Sequence, residues 1–275
     1  MMNRALWTKA VADARLLLAG LTILMFGFNW LFVWLTSLVE LGAFGVFLQA
    51  LPREFESLVG VPFAKVATTT GRIALAYIDP VVIFTIVTWA LARGSDAVSG
   101  EIGRGTMELL LAQPVSRSSL LMTHATVTTA GSAILAAAAW LGTLQGLVLT
   151  GLAKEVEPRH FIPAAVNVFA ATFFLAAFTT LVSAFDNQRW RTLGIVGAFY
   201  IVELLLKIVA RMAPRFNRLM YVSFLGAYEP QSLVIYPETA WQVSLRHDGA
   251  LIGLGLAAYF AAAITFNRRD VPAPL

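Results

Sequence analysis

The chain has no cysteine. That excludes a disulfide framework, a thiolate nucleophile and a thiolate metal site. Charge is scarce too: Asp, Glu, Lys and Arg supply 13% of 275 residues, against about 25% in an ordinary soluble domain. Such a composition excludes a disordered chain, a nucleic-acid binder and an ordinary cytosolic enzyme. No G-x-x-x-x-G-K-[ST] loop is present to cradle a phosphate chain, and neither H-E-x-x-H nor G-x-S-x-G occurs;. The three histidines, His124, His160 and His247, lack ligand spacing, and the seven methionines are scattered. Ser132 and His124 lie eight apart on one expected helix, which does not make a dyad. No catalytic residue, no metal and no cofactor bound by this chain is expected.

What the chain has in plenty is apolar residues, 58% of the total, with a mean hydropathy of +0.74. A membrane-spanning helix needs about 20 of them in a run. Six such runs are present, at about 16–39, 73–92, 120–150, 161–185, 192–210 and 250–266. The expected fold is an all-α membrane protein of six transmembrane helices in one transmembrane domain, residues 1–275. The first run is too long for a cleaved signal peptide and reads as a retained span. Before it, Leu6, Trp7, Ala10, Val11 and Ala14 recur at helical spacing with Arg4, Lys9 and Asp13 between them. That pattern suits a short interfacial helix leading into span one.

Lys and Arg are divided almost evenly between the two sides of the six runs. On the N-terminal side, however, they sit in short segments beside span ends, where the positive-inside rule has most weight. Both termini are expected in the cytoplasm, and the chain in an inner (plasma) membrane of bacterial or archaeal type.

Three places depart from a plain span. Asp79-Pro80 interrupts span two, because proline lacks a backbone donor and disfavours helix at the residue before it. A kinked span is expected there rather than a new helix capped by Asp79. Residues 120–151 would make a helix about 48 Å long, more than a bilayer core of about 30 Å. Residues 211–248 are too interrupted to cross, yet contain the apolar stretches 219–225 and 233–236. They read as an outer re-entrant or interfacial pair of short helices. Small residues recur every fourth position at Ala138, Gly142 and Gly146, and at Gly249, Gly253, Ala257 and Ala261. Both stripes suit close helix packing, within the chain or between subunits.

Polar groups inside spans are costly and are candidates for function. Glu203 and Lys207 lie four apart on one face of span five, and a mutual ion pair would soften their cost. A structural pair and a conduit role both remain open for them. Asn29 and Asp79 are weaker candidates of the same kind.

The most informative segment is the loop 93–119. Glycines there alternate with short amphipathic stretches. Thr106 is positioned to cap a helix reaching Ala112, with Glu108 in its first turn. Pro114 closes it, and Ser116 is placed to cap span three. Leu109, Leu110 and Leu111 are too apolar for a solvated loop, and Glu101, Arg104, Glu108 and Arg117 supply orienting charge. A short stiff element between two membrane helices can pass rigid-body motion to a soluble partner; it can equally rest on lipid.

The run Ser99-Gly100-Glu101, Gly105-Thr106, Glu108-Leu109-Leu110-Leu111, Pro114-Val115-Ser116-Arg117 resembles the loop of ABC-2 type permeases, the membrane subunits of one class of ATP-binding-cassette transporters. It matches without a departure over about 20 residues. The rest of the chain is similar only in architecture. The resemblance implies that Glu101, Arg104, Gly105, Thr106, Glu108, Leu109, Leu110, Pro114 and Arg117 belong to a coupling helix region docking on a separate ABC ATPase. ATP and magnesium would bind that ATPase subunit. Two permease subunits, identical or different, would form an exporter surrounded by membrane lipid. An ATP-independent secondary transporter would be expected to show an inverted repeat, and the loop motif occurs only once. A polytopic membrane enzyme is the remaining alternative.

Overall fold

The computed structural model describes residues 4–39, 41–112 and 115–269. All regular structure among them is helical. The long helices are α1 (Arg4–Leu38), α6 (Pro80–Ser95), α9 (Arg117–Thr150), α10 (Ile162–Phe185), α11 (Arg189–Met212) and α13 (Pro237–Arg268). Between α1 and α6 lie α2 (Leu41–Ala50), α3 (Arg53–Val59), α4 (Phe63–Val66) and α5 (Thr69–Ala74). The loop after α6 holds α7 (Glu101–Gly103) and α8 (Thr106–Leu111), and α12 (Pro230–Ile235) precedes α13. Among the described residues, six segments are long and apolar enough to cross a membrane, α5 and α6 counting together as one.

Helix α10 is the hub. It packs against α6, α9, α11 and α13, and 72% of its most apolar window is buried. Its small and β-branched residues, Ala164, Ala170, Ala171, Ala176 and Thr179, let neighbours approach closely;. Helices α1 and α11 sit at the edge, with 22% and 17% of their windows buried. Their outward Ile, Leu and Val side chains suit a hydrocarbon surround rather than water.

The stripe on α9 packs inside the chain. A Cβ on Gly142 would collide with the carbonyl oxygen of Phe26, and one on Gly146 with Val33. Gly249 and Gly253 face open space; the packed small face of α13 is Gly255, Ala258 and Ala262.

Several boundaries differ from the sequence expectation. The N-terminal amphipathic stretch is not a separate helix, because α1 runs unbroken from Arg4. Helix α13 begins at Pro237, well before residue 250, since proline suits the first turn;. Span two is broken rather than kinked. Asp79 is extended (φ −64°, ψ 144°), and its carboxylate accepts a hydrogen bond from the Val81 N–H at 2.9 Å, starting a new helix at Pro80. The break frees the Tyr77 carbonyl, which accepts from the Tyr228 hydroxyl at 2.6 Å. A buried carbonyl needs such a partner, and the sequence alone gives no sign that residue 228 supplies it.

Candidate functional site: the loop end of the helical bundle

At one end of the bundle the segment after α6 continues as a π-helical turn, Asp96–Gly100, and then α7. A π turn leaves backbone groups displaced from the regular ladder. Ser183 on α10 takes them up: its hydroxyl oxygen accepts from the Ser99 N–H at 2.8 Å and the Val98 N–H at 3.3 Å. Ser99 Oγ in turn lies 3.0 Å from Thr192 Oγ1 on α11. The loop is thereby sewn to two spans.

Glu101 is buried, 4% exposed. Its carboxylate meets Lys9 Nζ of α1 at 2.5 Å and Arg104 at 3.1 Å, and accepts from the Thr106 hydroxyl. Arg104 also pairs with Asp96 at 2.6 Å. Burial alone would lower the Arg104 pKa, but its bonds and charge interactions with Asp96 and Glu101 outweigh that and raise it. Gly105 adopts a left-handed conformation (φ 70°), allowing the chain to turn directly into α8;. Thr106 is thus the first residue of α8 and does not cap it: Gly105 occupies the cap position, and the Thr106 hydroxyl turns back to Glu101.

Helix α8 presents two faces. Met107 points inward, buried with Leu6, Val98, Leu121 and Phe266, and Leu110 and Leu111 are half-buried beside it. Glu108 and Leu109 point outward, Leu109 being 71% exposed. Pro114 lies outside the described residues. Ser116 does cap α9, its hydroxyl accepting from the Ser119 N–H at 3.1 Å.

Arg117 fixes the other side of the loop. Its guanidinium donates to the Phe266 carbonyl at 3.0 Å and to the Arg269 carbonyl. Arg269 reaches back to the Ala184 and Asp186 carbonyls at 2.9 and 3.1 Å. The start of α1, the loop, the α10–α11 turn and the end of α13 therefore share one end of the molecule. The loop sequence held Glu101, Arg104, Thr106 and Arg117 as separate letters; only folding shows them as clamps. Asp96, Ser183 and Arg189 went unsingled, and Lys9 was read only as part of an interfacial pattern, because Lys9 meets Glu101, Ser183 meets Ser99 and Arg189 meets Asp96 across spans remote in sequence.

The expected pair within α11 is replaced by different partners. Lys207 does not meet Glu203; it pairs with Glu229 at 2.8 Å and donates to the Tyr228 carbonyl at 2.7 Å. Arg211 pairs with the same Glu229 carboxylate. Glu203 instead accepts from the Phe224 N–H at 2.9 Å. The sequence signal points to neighbours on one helix, whereas the chain folds back after α11 and offers a better-placed carboxylate and N–H. Asn29 is buried between α1 and α9, its amide donating to the Met25 carbonyl at 2.9 Å. Asp79 serves as a helix cap. A cavity of about 670 Å³ opens at this second end, lined in part by Arg211, Glu229, Arg246 and His247.

The bracing of the loop and its short helix by five spans, α1, α9, α10, α11 and α13, sets the context for comparison with known proteins. The family model described as ABC-2 family transporter protein matches residues 7–271. The chain belongs to that family. It is a permease-type membrane transport component. No curated protein and no solved structure matches it.

Proposed function

We propose that this permease is the membrane subunit of an ABC-2 exporter, driven by a separate ABC ATPase that docks on α8. The observation that carries the reading is an exposed apolar and acidic edge, Leu109 and Glu108, on a helix whose other face is locked to the bundle. An isolated exposed leucine needs no explanation. One on a short helix clamped by Glu101, Arg104 and Arg117 is able to transmit force. ATP and magnesium bind the ATPase subunit. Two permease subunits form the pathway, and the loop end with both termini faces the cytoplasm. Glu101, Arg104, Gly105, Thr106 and Arg117 hold α8 in place, Leu110 packs half-buried beside Met107, and Glu108 and Leu109 meet the ATPase.

Co-expression with the candidate ATPase tests this. Leu109→Asp is expected to detach the ATPase while the permease remains folded. Glu101→Ala is expected to leave the ATPase attached but to uncouple its turnover from transport. If both variants co-purify with the ATPase and turn over like wild type, docking through α8 fails. Transport driven by an ion gradient without ATP would support a secondary transporter instead.

A further inference from the structure

Beside the clamped loop, a cavity of about 420 Å³ opens between the start of α1, the end of α6 and the start of α11. Its charged walls are Lys9, Asp13, Arg93, Asp96, Arg104 and Arg189. Three guanidinium groups crowd one carboxylate there. Arg104 lies 2.6 Å and Arg189 3.6 Å from Asp96 Oδ1, and Arg93 lies 3.5 Å from Asp96 Oδ2. Lys9 is shared between Asp13 and Glu101. Four cations thus face three carboxylates, with His124 behind Arg93 at 3.0 Å.

Arg93 makes this more than a surface cluster. It is 3% exposed, lines the cavity, and its Nε has no hydrogen-bond partner. A buried donor left unsatisfied costs free energy. One carboxylate offers about four acceptor sites; Arg104 and Arg189 find further acceptors in Glu101, the Ser95 hydroxyl and the Ala92 carbonyl, whereas the Arg93 Nε–H keeps none. The half-exposed side chains of Lys9, Arg104 and Arg189 leave the mouth open to a further anion. Leu17 and Ala92 form its apolar wall, toward the spans.

We propose that this cavity binds a phosphate group, several oxygens of which engage Arg93, Arg104, Arg189 and Lys9 together. Planar forks from different directions fit a tetrahedral polyanion better than a single carboxylate. The source is either a phospholipid headgroup at the membrane surface or free phosphate. This site does not depend on α8 docking an ATPase, and it is tested on the permease alone.

The purified full-length permease in detergent is mixed with phosphatidic acid or phosphatidylcholine of identical chains, and retention is read by native mass spectrometry. Preferential retention of phosphatidic acid is expected. Arg189→Gln is expected to weaken it about tenfold, Arg189→Lys to restore most of it, and the exposed Arg218→Gln to leave it unchanged. Displacement by inorganic phosphate assigns the site to free phosphate; resistance to it assigns the site to the lipid headgroup. Equal retention of both lipids without phosphate binding overturns the proposal. So does an Arg189→Gln variant that binds as wild type, or an equal loss in Arg218→Gln. Headgroup discrimination by the wild type decides the matter even if Arg189→Gln does not fold.

Discussion

Glu229 carries more charge interaction than any position in the expected span-five pair. It faces both Lys207 and Arg211, all three side chains being close to fully buried. Removing one partner of a buried pair costs about 3–5 kcal/mol because the survivor is left uncompensated. Glu229→Ala strands two cations, so we expect a loss in that range by thermal unfolding in detergent. Lys207→Met leaves Glu229 with Arg211 and should cost less, about 1–3 kcal/mol. Glu203→Gln should change stability by under about 1 kcal/mol, since an amide oxygen still accepts from the Phe224 N–H. A large loss in Glu203→Gln with none in Glu229→Ala would restore the Glu203–Lys207 pairing that the structure replaces.

Elements are positioned by small residues as much as by apolar ones. Helix α1 lies close enough to α9 that Gly142 touches its backbone. Gly142→Leu therefore forces the two helices apart, and we expect about 1–3 kcal/mol of destabilisation from overpacking. Gly253→Ala on α13 points into open space and should be neutral or slightly stabilising, because alanine favours helix. Comparable melting losses in both variants would show that the two stripes do not differ in packing. Gly60 is a different case. It is left-handed (φ 77°) and lies under the Arg211 guanidinium, which donates to the Leu58 carbonyl. Helix α3 is thereby tied to the Glu229 cluster.

At the scale of the whole molecule, the two ends differ in kind. One end carries the clamped α8; the other carries α3, α12 and the 670 Å³ cavity. With no native cysteine, a single introduced thiol reports sidedness directly. Ala112→Cys should react with a membrane-impermeant maleimide only after cells are permeabilised, and Arg218→Cys should react in intact cells. The reverse pattern would invert the orientation and place α8 out of reach of a cytoplasmic ATPase.

The amino-acid sequence by itself determined the membrane, six crossings and the family motif. Those follow from local quantities: run length, hydropathy and residue order within about 20 positions. It also marked Asp79-Pro80 as an interruption, but the kink it favoured gave way to a new helix, because that outcome depends on whether a remote donor satisfies the freed carbonyl. Tertiary structure supplied Tyr228 as that donor. It also decided that Glu101 is a buried clamp while Leu109 is the exposed edge, and that Lys207 chooses Glu229 over Glu203. Each of these rests on contacts between residues far apart in the chain, whose energies exist only once the helices have packed.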